Sequence, residues 1–130
     1  MKKKVFMVED HKPMSLIIKI LMRKNYPSVT EFGVSETAEE ALERIPSFNP
    51  DLLLVDISLP GIDGIEMIRR LGSICNEMKI LVVTGHEVDL YRNAALEAGA
   101  DDIVSKSDSE KMLHSIGKYL ELSENQHQRE

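Results

Sequence analysis

Residues 52–64 read LLLVDISLPGIDG, four aliphatic residues followed at once by Asp56 and then by the turn-forming pair Pro60-Gly61. The run Leu52–Val55 has no polar face, which is typical of a strand covered on both sides in a parallel sheet. Farther along, apolar residues recur at helical spacing from Ile65 to Ile74. This stretch therefore predicts a strand, a turn and a helix, with a carboxylate at the carboxyl end of the strand.

The same strand-to-helix pattern repeats on both sides of this stretch. Four more runs predict strands: short apolar runs at residues 5–8, 80–83 and 103–104, and a loosely alternating, less buried run at residues 29–34. Each run is followed by apolar residues at helical spacing, and we expect the second helix to end before Pro46 and the fourth at Gly99. Five strands alternating with five helices, joined by right-handed crossovers, indicate an α/β domain with a parallel sheet between two helical layers.

Composition and charge limit the function classes. The chain has 130 residues, 16 Lys plus Arg against 22 Asp plus Glu, a net charge of −6 and no Trp. An acidic chain with few aromatic residues lacks the cationic surface and the stacking platforms of nucleic-acid binding, so we expect no nucleic acid partner.

The chain has no apolar run long enough for a membrane span, which needs ~20 residues, and we expect no membrane partner. Its one cysteine, Cys75, cannot form an internal disulfide, which favours a reducing, cytoplasmic location. The length suits one domain over residues 1–121, followed by a polar tail or linker stub over residues 122–130.

Polar side chains follow four of the predicted strands. Glu9 and Asp10 follow the first strand, Asp56 the third, Thr84 the fourth and Lys106 the fifth. Ligands of open parallel sheets bind outside the carboxyl ends of the strands. We therefore expect three carboxylates, a hydroxyl and an ammonium group to meet at one edge.

Phosphoryl transfer requires side chains of these kinds. Three carboxylates packed together repel each other, and a hard divalent ion such as Mg²⁺, with Mn²⁺ as an alternative, would relieve that repulsion. Lys106 and Thr84 could bind phosphoryl oxygens, which leaves Asp56 as the candidate nucleophile towards phosphorus.

The chain resembles the receiver domain of bacterial two-component response regulators over about residues 3–121. The motifs that carry the resemblance are Val8-Glu9-Asp10, Leu54-Val55-Asp56, Leu59-Pro60-Gly61, Asp63-Gly64, Val83-Thr84-Gly85, Ala98-Gly99-Ala100-Asp101-Asp102 and Lys106. The resemblance implies a flavodoxin-like, doubly wound (βα)5 fold with strand order 2-1-3-4-5. It also implies a signalling switch rather than an enzyme.

The resemblance further implies a role for each matching residue. Asp56 would accept phosphate from a sensor histidine kinase or a phosphotransfer protein. Three carboxylates and a backbone carbonyl would hold Mg²⁺, namely Glu9, Asp10, Asp56 and Ser58. Thr84, Gly85 and Lys106 would surround the phosphoryl group and would couple it to the surface of the fourth helix, fifth strand and fifth helix, where a downstream protein target, an output domain or a second copy would bind.

Two positions depart from the family pattern, and two others lie where the family tunes the phosphoryl site. Ile103 stands where the family usually has Tyr or Phe, which implies an altered switch. Ser107 replaces the usual Pro after the lysine, so the geometry of that peptide is left open. Ser58 and His86 occupy the positions that tune the lifetime of the phosphoryl group in this family.

Two alternatives remain open at this point. The chain could be the receiver piece of a longer DNA-binding transcription regulator. It could also be an aspartyl-phosphate phosphohydrolase of the haloacid-dehalogenase type, but such enzymes carry a second acid two residues after the nucleophile, where this chain has Ser58.

Overall fold

A sheet of five parallel strands lies at the centre of the computed structural model, which describes residues 2–72, 74 and 77–122. Strands and helices alternate as the sequence predicts. In chain order they are β1 (Lys3–Val8), α1 (Lys12–Asn25), β2 (Val29–Ser35), α2 (Ala38–Phe48), β3 (Leu52–Val55), α3 (Gly64–Leu71), β4 (Lys79–Thr84), α4 (Val88–Ala98), β5 (Asp102–Ser105) and α5 (Ser109–Leu120).

The strands lie side by side in the order β2-β1-β3-β4-β5, and every neighbouring pair is parallel. This arrangement confirms the predicted flavodoxin-like, doubly wound fold. Val8 is in register with Val55, and Thr84 with Ser105. The carboxyl ends of the central strands are therefore level, so the residues that follow them share one edge of the sheet.

Successive side chains along a strand point to opposite faces of the sheet, so the hydrophobic core has two parts. On β1, Val5 and Met7 pack with the residues beneath α1 and α5, whereas Phe6 and Val8 pack on the opposite face with α2, α3 and α4. β3 divides its four aliphatic residues in the same way. Because both faces are covered, the short strands need no polar side, which explains the wholly apolar runs in the sequence.

Two predicted helix ends are wrong. α2 does not stop before Pro46 but continues to Phe48, because a proline in the last turn removes a single amide donor from the helix. The helix ends where Asn49 adopts a left-handed backbone (φ 53°) and donates its N–H to the carbonyl of Ile45. α3 ends at Leu71, so Ile74 lies outside it, with 55% of its surface exposed.

The C-terminal part of the described chain closes against α5. The N–H of Leu122 donates to the carbonyl of Gly117 at 2.8 Å, and Leu122 packs against the core beneath α1 and α5. The remainder of the predicted tail and Cys75 lie outside the described residues. Within the part of the chain that is described, no helix has the length and apolar character required to cross a membrane.

Candidate functional site

Two buried acidic side chains form the floor of the site, each fixed by the end of its strand. Glu9 follows β1 and donates its backbone N–H to the carbonyl of Ser35 at 3.0 Å, and Asp56 follows β3 and donates to the carbonyl of Val8 at 3.1 Å. These bonds extend the ladder of the sheet one residue beyond the strands. Glu9 and Asp56 are 1% and 5% exposed, whereas the neighbouring Asp10 is exposed to solvent.

An ammonium group lies between the two buried carboxylates. Lys106 follows β5, where its backbone N–H donates to the carbonyl of Thr84 at 2.9 Å. Its Nζ lies 2.8 Å from Oδ2 of Asp56 and forms a closer ion pair with Oε1 of Glu9. The tertiary structure thus brings together a cation and a carboxylate that stand 50 positions apart in the sequence.

The three carboxylates fit a divalent metal ion. Glu9, Asp10 and Asp56 each offer one oxygen, and these oxygens lie within 4.8 Å of one another. Lys106 offsets only one of the three negative charges. An all-oxygen, negatively charged donor set suits Mg²⁺ or Mn²⁺, and the ligand role of the Ser58 carbonyl stays a prediction.

The electrostatics of the site follow from burial and mutual charge. Burial raises the pKa of Glu9, the charge of Asp56 raises it further, and the hydrogen bond and charge of Lys106 oppose both effects. Burial by itself would lower the pKa of Lys106, but its hydrogen bonds to Asp56 and Glu9 outweigh burial and raise it. Lys106 therefore stays charged wherever the carboxylates are charged.

The backbone of Asp56 lies directly against the first residue of α3, Gly64. The N–H of Ser58 donates to Oδ1 of Asp56 at 3.3 Å, and the N–H of Gly64 donates to the carbonyl of Ile57 at 2.9 Å. A Cβ at position 64 would lie 2.1 Å from the carbonyl oxygen of Asp56 and 2.8 Å from Val55. Gly64 thus allows α3 to begin directly against the backbone of Asp56.

Thr84 and Gly85 form the wall after β4. Thr84 is fully buried, and its Oγ1 accepts a hydrogen bond from the backbone N–H of His86 at 3.0 Å. A Cβ at position 85 would meet no atom within 4 Å. Packing therefore does not require glycine there, and the open space adjoins the site.

Ser58 and His86, predicted separately, are in direct contact. Oγ of Ser58 lies 2.5 Å from Nε2 of His86, and both residues are exposed. The His86 ring also lies against Tyr91 of α4, with ring centroids 5.6 Å apart. The sequence carries no signal for the contact between Ser58 and His86, because these residues stand 28 positions apart.

The two departures on β5 and the following loop also have structural consequences. Ile103 is 2% exposed and forms part of the floor of a cavity of about 450 Å³ between the start of α4 and α5. The Lys106–Ser107 peptide is trans. Ser107 donates its backbone N–H to Oγ of Ser105 at 3.1 Å, a bond that proline could not make.

One residue near the site was missed by the sequence analysis. Glu39, in the first turn of α2, accepts a hydrogen bond from the N–H of Ile62 at 3.3 Å, and its carboxylate lies where a Cβ of Gly61 would be. Gly61 has a φ of 79°, which favours glycine independently. Glu39 thus ties α2 to the loop that follows Asp56.

Comparison with protein families agrees with this geometry. The family described as the response regulator receiver domain matches residues 5–117. The chain belongs to this family. Receiver domains bind Mg²⁺ at an acidic pocket and act in two-component systems with histidine kinases and output domains. The receiver of this chain has its acidic pocket at Glu9, Asp10 and Asp56.

Curated relatives extend beyond this receiver. The alkaline phosphatase synthesis transcriptional regulatory protein PhoP of Bacillus subtilis is 30% identical over 121 residues, which are 92% of this chain and 49% of that protein. BvgA of Bordetella pertussis is 30% identical over 113 residues, 87% of this chain and 52% of that protein. The chain thus spans about half the length of these relatives.

Solved structures of receivers share the fold. A two-component response regulator of the LuxR family from Aurantimonas sp. SI85-9A1 has a TM-score of 0.85 at 27% identity, covering 93% of this chain and 86% of that one. A CheY-like receiver domain protein from Methanospirillum hungatei JF-1 has a TM-score of 0.81 at 26% identity, covering 93% and 95%.

Proposed function

We propose that this receiver accepts a phosphoryl group on Asp56 from a histidine of a sensor kinase or a phosphotransfer protein. The observation that carries the proposal is the placement of the Lys106 ammonium 2.8 Å from a buried Asp56 carboxylate, beside two further acidic side chains. Two neighbouring carboxylates repel the charge of Asp56, which is a cost that a purely structural aspartate would not carry.

The proposed step is an in-line displacement at phosphorus. One carboxylate oxygen of Asp56 forms the new O–P bond as the P–N bond to the donor histidine breaks, and the imidazole nitrogen keeps the electron pair. Lys106 holds one phosphoryl oxygen and the Thr84 hydroxyl donates to another. Glu9, Asp10, Asp56 and the Ser58 carbonyl would hold Mg²⁺, which supplies charge neutralisation at the phosphoryl oxygens when bound.

Residues beside this centre would set the lifetime of the phosphoryl group. The open space at Gly85 leaves room for the group or for its donor. Ser58 and His86 lie in sequence-distant loops, two residues after Asp56 and two residues after Thr84, and contact each other. We propose that they control the access of water to the aspartyl phosphate.

The surface of α1 is the proposed docking site of the phosphodonor protein. Three aliphatic side chains are more than half exposed there, namely Leu16, Ile17 and Ile20. α1 begins two residues after Asp10, and its charged residues are all basic: Lys12, Lys19, Arg23 and Lys24. An exposed apolar patch with a cationic margin, next to the phosphoacceptor, suits an apolar partner surface with acidic residues.

The output is proposed to pass through another protein or domain. Residues 1–121 would be the receiver and residues 122–130 a tail or a linker, either in a stand-alone switch or in a longer transcription regulator like the relatives that this chain half covers. The surface of α4, β5 and α5 would bind the target, the output domain or a second copy. We place the protein in the cytoplasm, as Cys75 suggests, and expect no contact with nucleic acid by this chain.

The test is intact-mass spectrometry after incubation with acetyl phosphate and Mg²⁺. We expect one phosphoryl group on the wild type and none on Asp56→Asn. The matched control is Asp51→Asn, at the opposite edge of the sheet, which should still be phosphorylated. An adduct that persists in Asp56→Asn would contradict the assignment, and rapid turnover of phosphate esters would favour the phosphohydrolase.

A further inference from the structure

His86 connects the loop that contains Asp56 with the end of β4. Its Nε2 lies 2.5 Å from Oγ of Ser58, which stands two residues beyond Asp56. Its backbone N–H donates to Oγ1 of Thr84 at 3.0 Å. A displacement of the Ser58 loop or of the Thr84 hydroxyl therefore reaches His86 through a single hydrogen bond.

Tyr91 continues this chain of contacts into α4. The rings of His86 and Tyr91 have centroids 5.6 Å apart and planes inclined by 56°, which is within the range of interacting aromatic pairs. Tyr91 is half-buried and packs against the core beneath α2, α3 and α4. A movement of the His86 ring would thus act on a side chain that is anchored in the helix.

Ile103 is poorly suited to carry the same signal. It is β-branched, so rotation about χ1 is restricted, and it is already 2% exposed. The cavity of about 450 Å³ above it is lined by residues of α4, β5 and α5, including Arg92, Ser105 and Lys111. A buried aliphatic side chain has no exposed position from which to swing inwards when Asp56 is modified.

We infer that His86 and Tyr91 form the route by which phosphorylation of Asp56 changes the surface of α4, in place of an aromatic residue at position 103. This inference rests on the proposed function and adds the path of regulation. Both are positioning residues, since they act through Ser58 and Thr84. The Ser58–His86 bond lies at the surface, where water competes for both partners, so bonded and separated arrangements are close in free energy.

The experiment follows backbone amide chemical shifts on addition of Mg²⁺ and beryllium trifluoride, a mimic of the phosphoryl group. In the wild type we expect shifts at the site, at Asp10 and Lys106, and along α4. In His86→Ala and in Tyr91→Leu, the shifts along α4 should fall to less than half of their wild-type size. The ¹⁹F signal of the bound probe shows that each variant is saturated.

Two matched controls separate the route from general packing. Tyr91→Phe keeps the ring and should keep the wild-type shifts along α4. Ile103→Val keeps an aliphatic β-branched side chain and should also keep them. Tyr91→Leu should retain the shifts at Asp10 and Lys106, because Tyr91 packs against His86 and the core beneath α2, α3 and α4.

Two results would overturn the inference. Full α4 shifts in both His86→Ala and Tyr91→Leu would show that the signal takes another path. Loss of those shifts in Ile103→Val alone would assign the task to position 103. If the wild type shows no shift even at Asp10 and Lys106, the proposed function fails as well. Failure of the inference alone leaves the shifts at Asp10 and Lys106 in place, so the two failures are distinguishable.

Discussion

At the amino edge of the sheet, two aspartates accept hydrogen bonds from backbone amides. The N–H of Lys4 donates to Asp51 at 2.8 Å, and the N–H of Ile80 donates to Asp101 at 2.7 Å. Each carboxylate there satisfies the amide of the second residue of a strand, in β1 and in β4. These acids therefore belong to the construction of the sheet.

At the carboxyl edge, acidic residues gather instead around each other. Glu9, Asp10 and Asp56 bring their oxygens within 4.8 Å, and Lys106 balances one charge of the three. An acid at a strand end is structural when it stands apart from other acids and accepts a hydrogen bond from a backbone amide. A group of acids that shares too few positive partners suits a bound cation.

The largest expected effect comes from removing the cation that pairs with Glu9 and Asp56 at the carboxyl edge. Without divalent ions, Lys106→Met should lower the free energy of unfolding by about 3 kcal/mol, because it leaves buried carboxylates without their partner. Urea denaturation measures the change. Lys79→Met, an exposed lysine at the amino edge, is the control and should change stability by less than about 0.5 kcal/mol. Equal losses in both variants would remove the distinction between the edges.

A second expected effect tests how tightly the carboxyl edge is packed. Gly64→Ala should cost about 2 kcal/mol of unfolding free energy, because its Cβ would lie 2.1 Å from the carbonyl oxygen of Asp56. Gly85→Ala, where nothing lies within 4 Å, should leave stability unchanged or raise it slightly. Thermal or urea unfolding of both variants decides the point, and a neutral Gly64→Ala would contradict the described backbone contact.

A smaller effect compares aspartates at the two edges. Asp101→Ala should cost about 1–2 kcal/mol, because the Ile80 amide loses its side-chain acceptor. Asp56→Ala, without divalent ions, should change the unfolding free energy by no more than about 0.5 kcal/mol. The loss of its ion pair with Lys106 is offset by the relief of its repulsion with Glu9. If Asp56→Ala proves the more costly of the two, the carboxyl edge is a structural site like its counterpart.

The smallest effect is confined to alkaline pH at the amino edge. Burial and the hydrogen bond to Asp102 raise the pKa of Tyr119 from 10.0 to about 12. The folded state then holds this proton more tightly than the unfolded state, so stability present below pH 10 is lost as the pH rises towards 12. Ultraviolet titration should show a late ionisation step that Tyr119→Phe removes.

A matched variant identifies the source of this shift. Asp102→Asn removes the charge beside the Tyr119 hydroxyl, so the pKa of Tyr119 should move back towards its ordinary value. The same ultraviolet titration measures it. A pKa that stays near 12 in Asp102→Asn would leave burial and the charge of Asp101 as the causes.

The sequence predicted the members of the acidic site because their positions depend on a simple rule. Glu9, Asp10, Asp56 and Lys106 each follow an apolar run, and parallel strands place all such residues at one edge. The structure confirms that these four lie together. The roles of these residues in phosphoryl transfer remain proposals.

Other features could not be predicted from residue patterns. The end of α2 was misplaced, because the αL backbone of Asn49, rather than Pro46, terminates the helix. Glu39 was missed since its contact with the loop at Gly61 depends on how α2 packs beside α3. Such contacts join segments that no local periodicity relates.

By itself, the sequence determined the alternation of strands and helices, the covered parallel sheet and the edge that carries the site, because side-chain periodicity and strand direction are local properties. Only the tertiary structure decided which groups touch within that edge. The contacts of Lys106 with Glu9 and Asp56, and the contact of His86 with Ser58, arise between distant segments. Their geometry depends on how whole helices and loops pack against the sheet, which no single segment encodes.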